Sequence, residues 1–199
     1  APAAARRAQA KNDAQQIVAA VKAYYTEYGK YPNVIEEDPD APPSPDEDTL
    51  VGDPIVSAAA DNKTLFNILR SIDREPNTGH ARNPRKIVFF EGKSVSNPED
   101  PRSGFLDKKP EGGSGSSELL GCFFDPWGKQ YNVIMDTSYD NYLNMDKVYS
   151  DFSGAPPDGD RPHTGVGAFS LGKDSKIGDK GNKKFREDKN LSDDIISWQ

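Results

Sequence analysis

Few residues in this chain could do covalent chemistry, and they are scattered. Cys122 with His80 or His163 would make a nucleophile and base, the pair that transfers acyl groups through a thiolate. But Cys122 stands in "ELLGCFF", and an apolar setting raises a thiol pKa and keeps it inert, so it reads as a buried structural cysteine. His80 and His163 lie in Gly-, Asn- and Pro-rich stretches with no Ser or Cys signature beside them. The metal spacings HExxH and paired CxxC are absent. "GVGAFSLG" holds glycines but precedes no helix, so it lacks the N-terminus that a phosphate loop needs. No pair of carboxylates stands out for hydrolysis. The expectation is a protein that is not an enzyme.

Acids concentrate in two places. "EEDPDAPPSPDED", Glu36 to Asp48, has seven acids, four prolines and no base. It reads as an extended, solvated loop whose prolines keep the carboxylates from converging on a cation. The second place is the end, "AFSLGKDSKIGDKGNKKFREDKNLSDDIISWQ", where about twenty mostly polar residues separate two apolar runs. Such a loop buries too little apolar area to order itself, so something must join its ends. Calcium takes six to eight oxygens, which carboxylates and carbonyls from two ends of a loop can supply.

The elements that must position these residues are legible in part. Ala14, Ile17, Val18, Val21, Tyr24, Tyr25 and Tyr28 recur at helical spacing, with Gly29 as C-cap and Pro32 as stop, which predicts a helix from about Ala4 to Tyr28. Its first dozen residues have little to bury and are expected to project beyond the domain. A second helix is expected from Asp61, as N-cap, to about Asp73, burying Leu65, Ile68, Leu69 and Ile72. "RKIVFFEGK" reads as a strand ending at Gly92, and Ser94 to Ser117 as a loop most flexible at "GGSGSS". "DPWG", Asp125 to Gly128, suits a type I turn. After it, "KQYNVIMDT" reads as a strand with Tyr131, Val133 and Met135 on one face and Asn132 and Ile134 on the other. A loop with "GAPPDGD" leads to a last strand near Val166 to Leu171. Short links between the later strands predict an antiparallel meander. The fold class is α+β: a long N-terminal helix packed on a small antiparallel sheet, with a second short helix and long loops.

Composition bounds the rest. Only 34% of the 199 residues are hydrophobic, with 17 Gly and 16 Pro, yet eight Tyr, nine Phe and two Trp suffice for a loop-rich core. A formal net charge of −7 argues against a nucleic-acid groove. A lone cysteine forms no internal disulfide and fits either a reducing or an exporting context. No apolar run approaches a membrane span; Ile87 to Phe90 is the best. The chain opens on Ala1, already helix-like, which suggests a helix whose beginning has been removed; a soluble N-terminus with a trimmed Met is the alternative.

Three stretches in order carry a resemblance: the helix "AKNDAQQIVAAVKAYYTEYGKYP", the hairpin "DPWGKQYNVIMD", and "FSLGKD" with "DDIISW" at the end. Together they resemble the major pseudopilins of type II secretion systems (general secretion protein G), within the type IV pilin-like superfamily. The resemblance implies one periplasmic pilin-like domain over 1–199: the helix in 1–30, a variable helix and loop region in 31–117, and the sheet with its C-terminal loop in 118–199. It implies a membrane half-helix preceding Ala1, cleaved by a prepilin peptidase and methylated, which anchors the subunit in the inner membrane before assembly. Copies would join through their long helices, with other pseudopilins and secretion components, into a fibre in the periplasm or at the cell surface that drives protein export. A minor pilin-like subunit or adhesin, acting as a binding module, is the alternative; no nucleic-acid partner is expected. Carried over by position, the family's calcium ligands fall on the Leu171 carbonyl, Asp174, Asp193 and Asp194. The chain departs from the pattern in Asp174-Ser175, where the family has Asp-Gly, and in Lys183, Lys184, Arg186 and Lys189, which offer a cation-braced loop in place of a metal. A loop left flexible is the third possibility.

Overall fold

The structure, a computed structural model, describes residues 2–35, 38–40, 47–112, 117–154, 159–187 and 190–199. Most of the acidic stretch 36–48, the centre of "GGSGSS", residues 155–158 of "GAPPDGD" and Lys189 lie outside the described residues.

Helix α1 runs Ala3–Tyr28 and ends as expected, on Gly29 in the left-handed region (φ 71°), whose N–H donates to Tyr25 O. Its inward face is Ala10, Ala14, Ile17, Ala20, Val21 and Tyr24, all buried; Val18 and Tyr28 pack at the margin, and Tyr25 is exposed. The helix does not project as far as expected. Ala10 is fully buried, Tyr131 donates to Asp13 Oδ2 at 2.7 Å, and Lys11 reaches the carbonyls of Ile196 and Gln199. The polar first turns therefore have partners after all, supplied by the far end of the chain.

The sheet under α1 has four strands, β1 (Thr49–Val51), β4 (Asn132–Met135), β5 (Val166–Ser170) and β8 (Ile195–Ile196), in the order β1-β4-β5-β8, all antiparallel. Two further pairs lie outside it: β2 (Gly104–Phe105) with β3 (Phe123–Phe124), and β6 (Arg186–Glu187) with β7 (Asn190–Leu191). Alternation along the strands divides the core in two, because successive side chains point to opposite faces. Val51, Val133, Met135, Val166, Ala168 and Ile195 meet α1. Leu50, Ile134, Phe169 and Ile196 meet a cover of loops built from Leu143, Met145, Val148, Tyr149, Phe152, Ile177 and Phe185. Tyr131, Val133 and Met135 share one face with Ile134 on the other, as the sequence predicts. Gly167 makes room on the loop side: a Cβ there would lie 2.9 Å from both Leu143 Cδ1 and the ring of Trp198.

Three expectations are corrected. The second helix, α2, is only Lys63–Leu69, since Ser71 turns to φ 55° and ends it; Ile72 is only partly buried. Asn62 rather than Asp61 precedes it, and its buried side chain does other work. Its Nδ2 donates to Phe123 O and Tyr131 O (2.8 and 3.0 Å), and its Oδ1 accepts from Phe123 N (3.0 Å). "RKIVFFEGK" is extended but forms no strand. Phe89 N and Phe90 N both donate to Leu69 O, and Val88 is half exposed, so the segment lies across the end of α2 instead of joining a ladder. Within the span read as loop, Gly104–Phe105 pairs with β3, and β1 follows directly on the acidic stretch.

The far end of α1 carries a run of rings: Tyr25 against Tyr31 at 4.7 Å and Tyr31 against Tyr139 at 5.9 Å between centroids.

Asn62→Ala takes the Asn62 partner from the buried Phe123 N and Tyr131 O, while Phe123 O keeps its bond from Tyr131 N, and each orphaned group costs about 1–3 kcal/mol. Urea unfolding should show a loss of roughly 2 kcal/mol or more, against a negligible change for Gln16→Ala on the exposed face of α1. Equal stabilities would refute the role given to Asn62.

Candidate metal centre

The two ends of the C-terminal loop meet. β5 delivers Leu171, fully buried, and then Gly172 in the left-handed region (φ 68°). A Cβ on Gly172 would fall 2.3 Å from Asp193 O, so only glycine lets the strand end pass this close to the returning chain. From there Asp174 N donates to Asp193 Oδ2 at 2.7 Å, closing the loop across nineteen residues. Beside it Gly178 N donates to Asp194 Oδ2 at 2.9 Å.

Asp174, Asp193 and Asp194 each present a carboxylate oxygen, and the three lie within 4.8 Å of one another. Asp194 is the innermost, 1% exposed. Its Oδ2 also accepts from the buried Tyr149 hydroxyl at 2.5 Å, while its Oδ1 is buried with no hydrogen-bond partner among the described residues. Burial first, then the charges of Asp193 and Asp174, pushes the Asp194 carboxyl up to about 7, despite the bonds from Tyr149 and Gly178. Partial burial also raises Asp174, although Lys176 N donates to it. Tyr149 is raised well above the ordinary phenol range by burial and by Asp194.

Three acids this close, one with an orphaned buried oxygen, match the hard oxygen donors that calcium takes. The sequence-derived set is thus brought together as far as Asp174, Asp193 and Asp194 go, and Leu171 sits one residue from the Gly172–Asp193 contact. Among the described residues no ion pair joins these aspartates to a lysine or arginine, so their mutual charge is left to be offset in another way. The nearest cationic contact is Arg7 Nη1, which donates to the backbone carbonyl of Asp193 at 3.2 Å.

Tyr149 and Gly178 were not legible as site residues. Tyr149 lies 45 positions before Asp194 in an irregular segment, and no local pattern ties the two. The groups weighed for covalent chemistry are apart from this centre in the core packing. Cys122 packs with Leu106 and Phe124, and burial pushes its thiol up to about 12. His163 stacks on Tyr142 at 4.6 Å, and His80 Nδ1 lies 3.3 Å from Ser71 Oγ.

The shifted Asp194 makes the centre's behaviour with pH specific. Its folded carboxyl holds a proton that the unfolded chain releases near 3.8. Without metal, stability therefore falls as pH rises from about 4 to about 7 and levels off above. Calcium needs the carboxylates ionised, so its gain grows over the same window. At pH 8, calcium at about a hundred times its Kd should add about 2.7 kcal/mol, or roughly 5–10 °C in thermal midpoint over chelator. Asp194→Asn keeps an acceptor for Tyr149 and Gly178, and should remove both the metal-free decline and the calcium gain. Identical midpoints in calcium and chelator at pH 8 would dispose of the metal.

Comparison of the chain with known proteins gives no match to a family model, to a curated protein or to a solved structure.

Proposed function

We propose that the chain is the globular part of a pseudopilin-type structural subunit, which polymerises through α1 into a fibre that serves protein export. The observation that carries this reading is the one-sided burial of α1. The helix is 26 residues, about 39 Å at 1.5 Å per residue, and from Ala10 to Tyr24 one face is sunk in the core while the other is open. The open face runs through Ala8, Asn12, Gln15, Gln16, Ala19, Lys22, Ala23 and Thr26, all exposed. Apart from Lys22 these are small or uncharged residues, and the alanines let a neighbouring helix approach closely. A fibre in which neighbouring helices pack side by side would cover this open face.

The C-terminal loop supports the same reading. In it the metal centre has a structural task, holding the Gly172–Asp193 closure against the side of α1 where Arg7 and Lys11 make their contacts. On this reading the chain works in the periplasm, is anchored in the inner membrane by a preceding apolar helix until it assembles, and meets copies of itself and other secretion components. Among the described residues no helix is long and apolar enough to cross a membrane, so that anchor would have to come from sequence outside this chain.

The test is contact along the helix in cells that make the full-length protein. The double variant Gln16→Cys/Ala23→Cys, with two thiols on the open face, should give a ladder of disulfide-linked multimers on mild oxidation, while either single variant should stop at the dimer. Cys122 is fully buried and should add no background. Thr26→Cys paired with either one should likewise extend the product beyond the dimer. Only monomers, with export of proteins undisturbed when the gene is deleted, would end the proposal.

A further inference from the structure

The loop between the two ends of the metal centre has a character of its own. From Lys173 to Asp194 the loop holds seven cations and six acids, and the cations gather in its first fourteen residues, where Lys173, Lys176, Lys180, Lys183, Lys184 and Arg186 face only Asp174 and Asp179, in a chain with a formal net charge of −7. The loop is folded back on itself. Lys183 N donates to Ile177 O and Asp179 N to Lys184 O, both at 3.1 Å, and Ile177 and Phe185 are sunk in the core. With its apolar side chains inward, Lys173, Lys176, Lys180, Lys183 and Arg186 are left exposed. Among the described residues none of these five forms an ion pair, and they are gathered in one segment, whereas other cations without one, such as Lys22, Lys86 and Lys108, lie scattered along the chain. Arg7, exposed and bonded to Asp193 O, places the first turns of α1 beside this loop. The fixed, unpaired cations and the start of α1 thus occupy the same end of the molecule.

We infer that this end docks on an anionic bilayer surface, with Lys173, Lys176, Lys180, Lys183, Arg186 and Arg7 set against lipid headgroup phosphates. The orientation rests on the reading above: an α1 continued into a membrane would bring this end, and not the Tyr31–Tyr139 end, to the headgroups. The charge argument stands without it. Clustered lysines and arginines are drawn to anionic leaflets within a Debye length, and an otherwise acidic protein would be repelled on every other side. The backbone closure of the loop matters here, because it keeps the exposed cations on one folded segment without pairing them.

The experiment is sedimentation of this chain with vesicles of phosphatidylcholine alone or of equimolar phosphatidylcholine and phosphatidylglycerol, in chelator, at low and high salt. Binding is expected only to the anionic vesicles and should be released by high salt. The combined Lys176→Gln, Lys180→Gln and Lys183→Gln substitutions should lower the partition by about tenfold or more, with the thermal midpoint unchanged. Lys30→Gln with Lys147→Gln, removing paired cations elsewhere, should leave it as it was. No binding to anionic vesicles, undiminished binding by the triple variant, or preference for duplex DNA at equal ionic strength would overturn the inference. Such a failure beside an intact crosslinked ladder would remove the docking surface alone; docking without a ladder would remove the fibre alone.

Discussion

A four-stranded sheet buried on both faces needs two covers, and this chain has one long helix to give. α1 closes one side with a face of alanine, aliphatic residues and tyrosine. The other side must be closed by irregular chain, and irregular chain brings backbone polar groups into places where water is scarce. The way those groups are satisfied explains much of the remaining structure. Asn62 serves three backbone atoms of β3 and β4; Asp136 accepts from Asp140 N and Asn141 N; Asp125 accepts from Trp127 N, Lys129 N and the Ser170 hydroxyl. Each is a short polar side chain standing in for a missing strand or helix. Burial raises the Asp125 carboxyl to about 6, the mark of an anchor held away from water.

The aspartate centre is the same device under greater load. It closes the loop that supplies Ile177 and Phe185 to the second cover, and it does so with acids that repel one another. A hydrogen-bond donor can satisfy an oxygen but adds no positive charge. A divalent ion does both, which is why the orphaned Oδ1 of Asp194 matters more than the number of acids nearby.

What could be read beforehand follows from how far each signal reaches along the chain. The helix of α1, its Gly29 cap, the Asp125–Gly128 turn and the alternation of β4 are written within a few neighbouring residues, and they stand in the structure where the sequence puts them. "RKIVFFEGK" misled because an apolar run states only that it will be buried, not that a partner strand will have an edge free. It found the end of α2 instead. β1 was missed since three residues after an acidic, proline-rich stretch carry almost no period. Asp174, Asp193 and Asp194 were legible as a set through the resemblance at both ends of the loop, whereas Tyr149 and Asn62 act through contacts 45 and more positions away, which no local pattern encodes.

The bond from Lys11 to the carbonyl of Ile196 spans 185 positions. Nearly everything α1 packs against on β5 and β8 is made more than a hundred residues after it. During synthesis the helix is therefore made well before its cover and is among the last elements to be satisfied. Its apolar stripe must wait, exposed, while the chain that will cover it is still arriving. Long-range closure of this kind makes for slow folding and leaves an interval in which another hydrophobic partner, a chaperone or a neighbouring helix, competes for the same face.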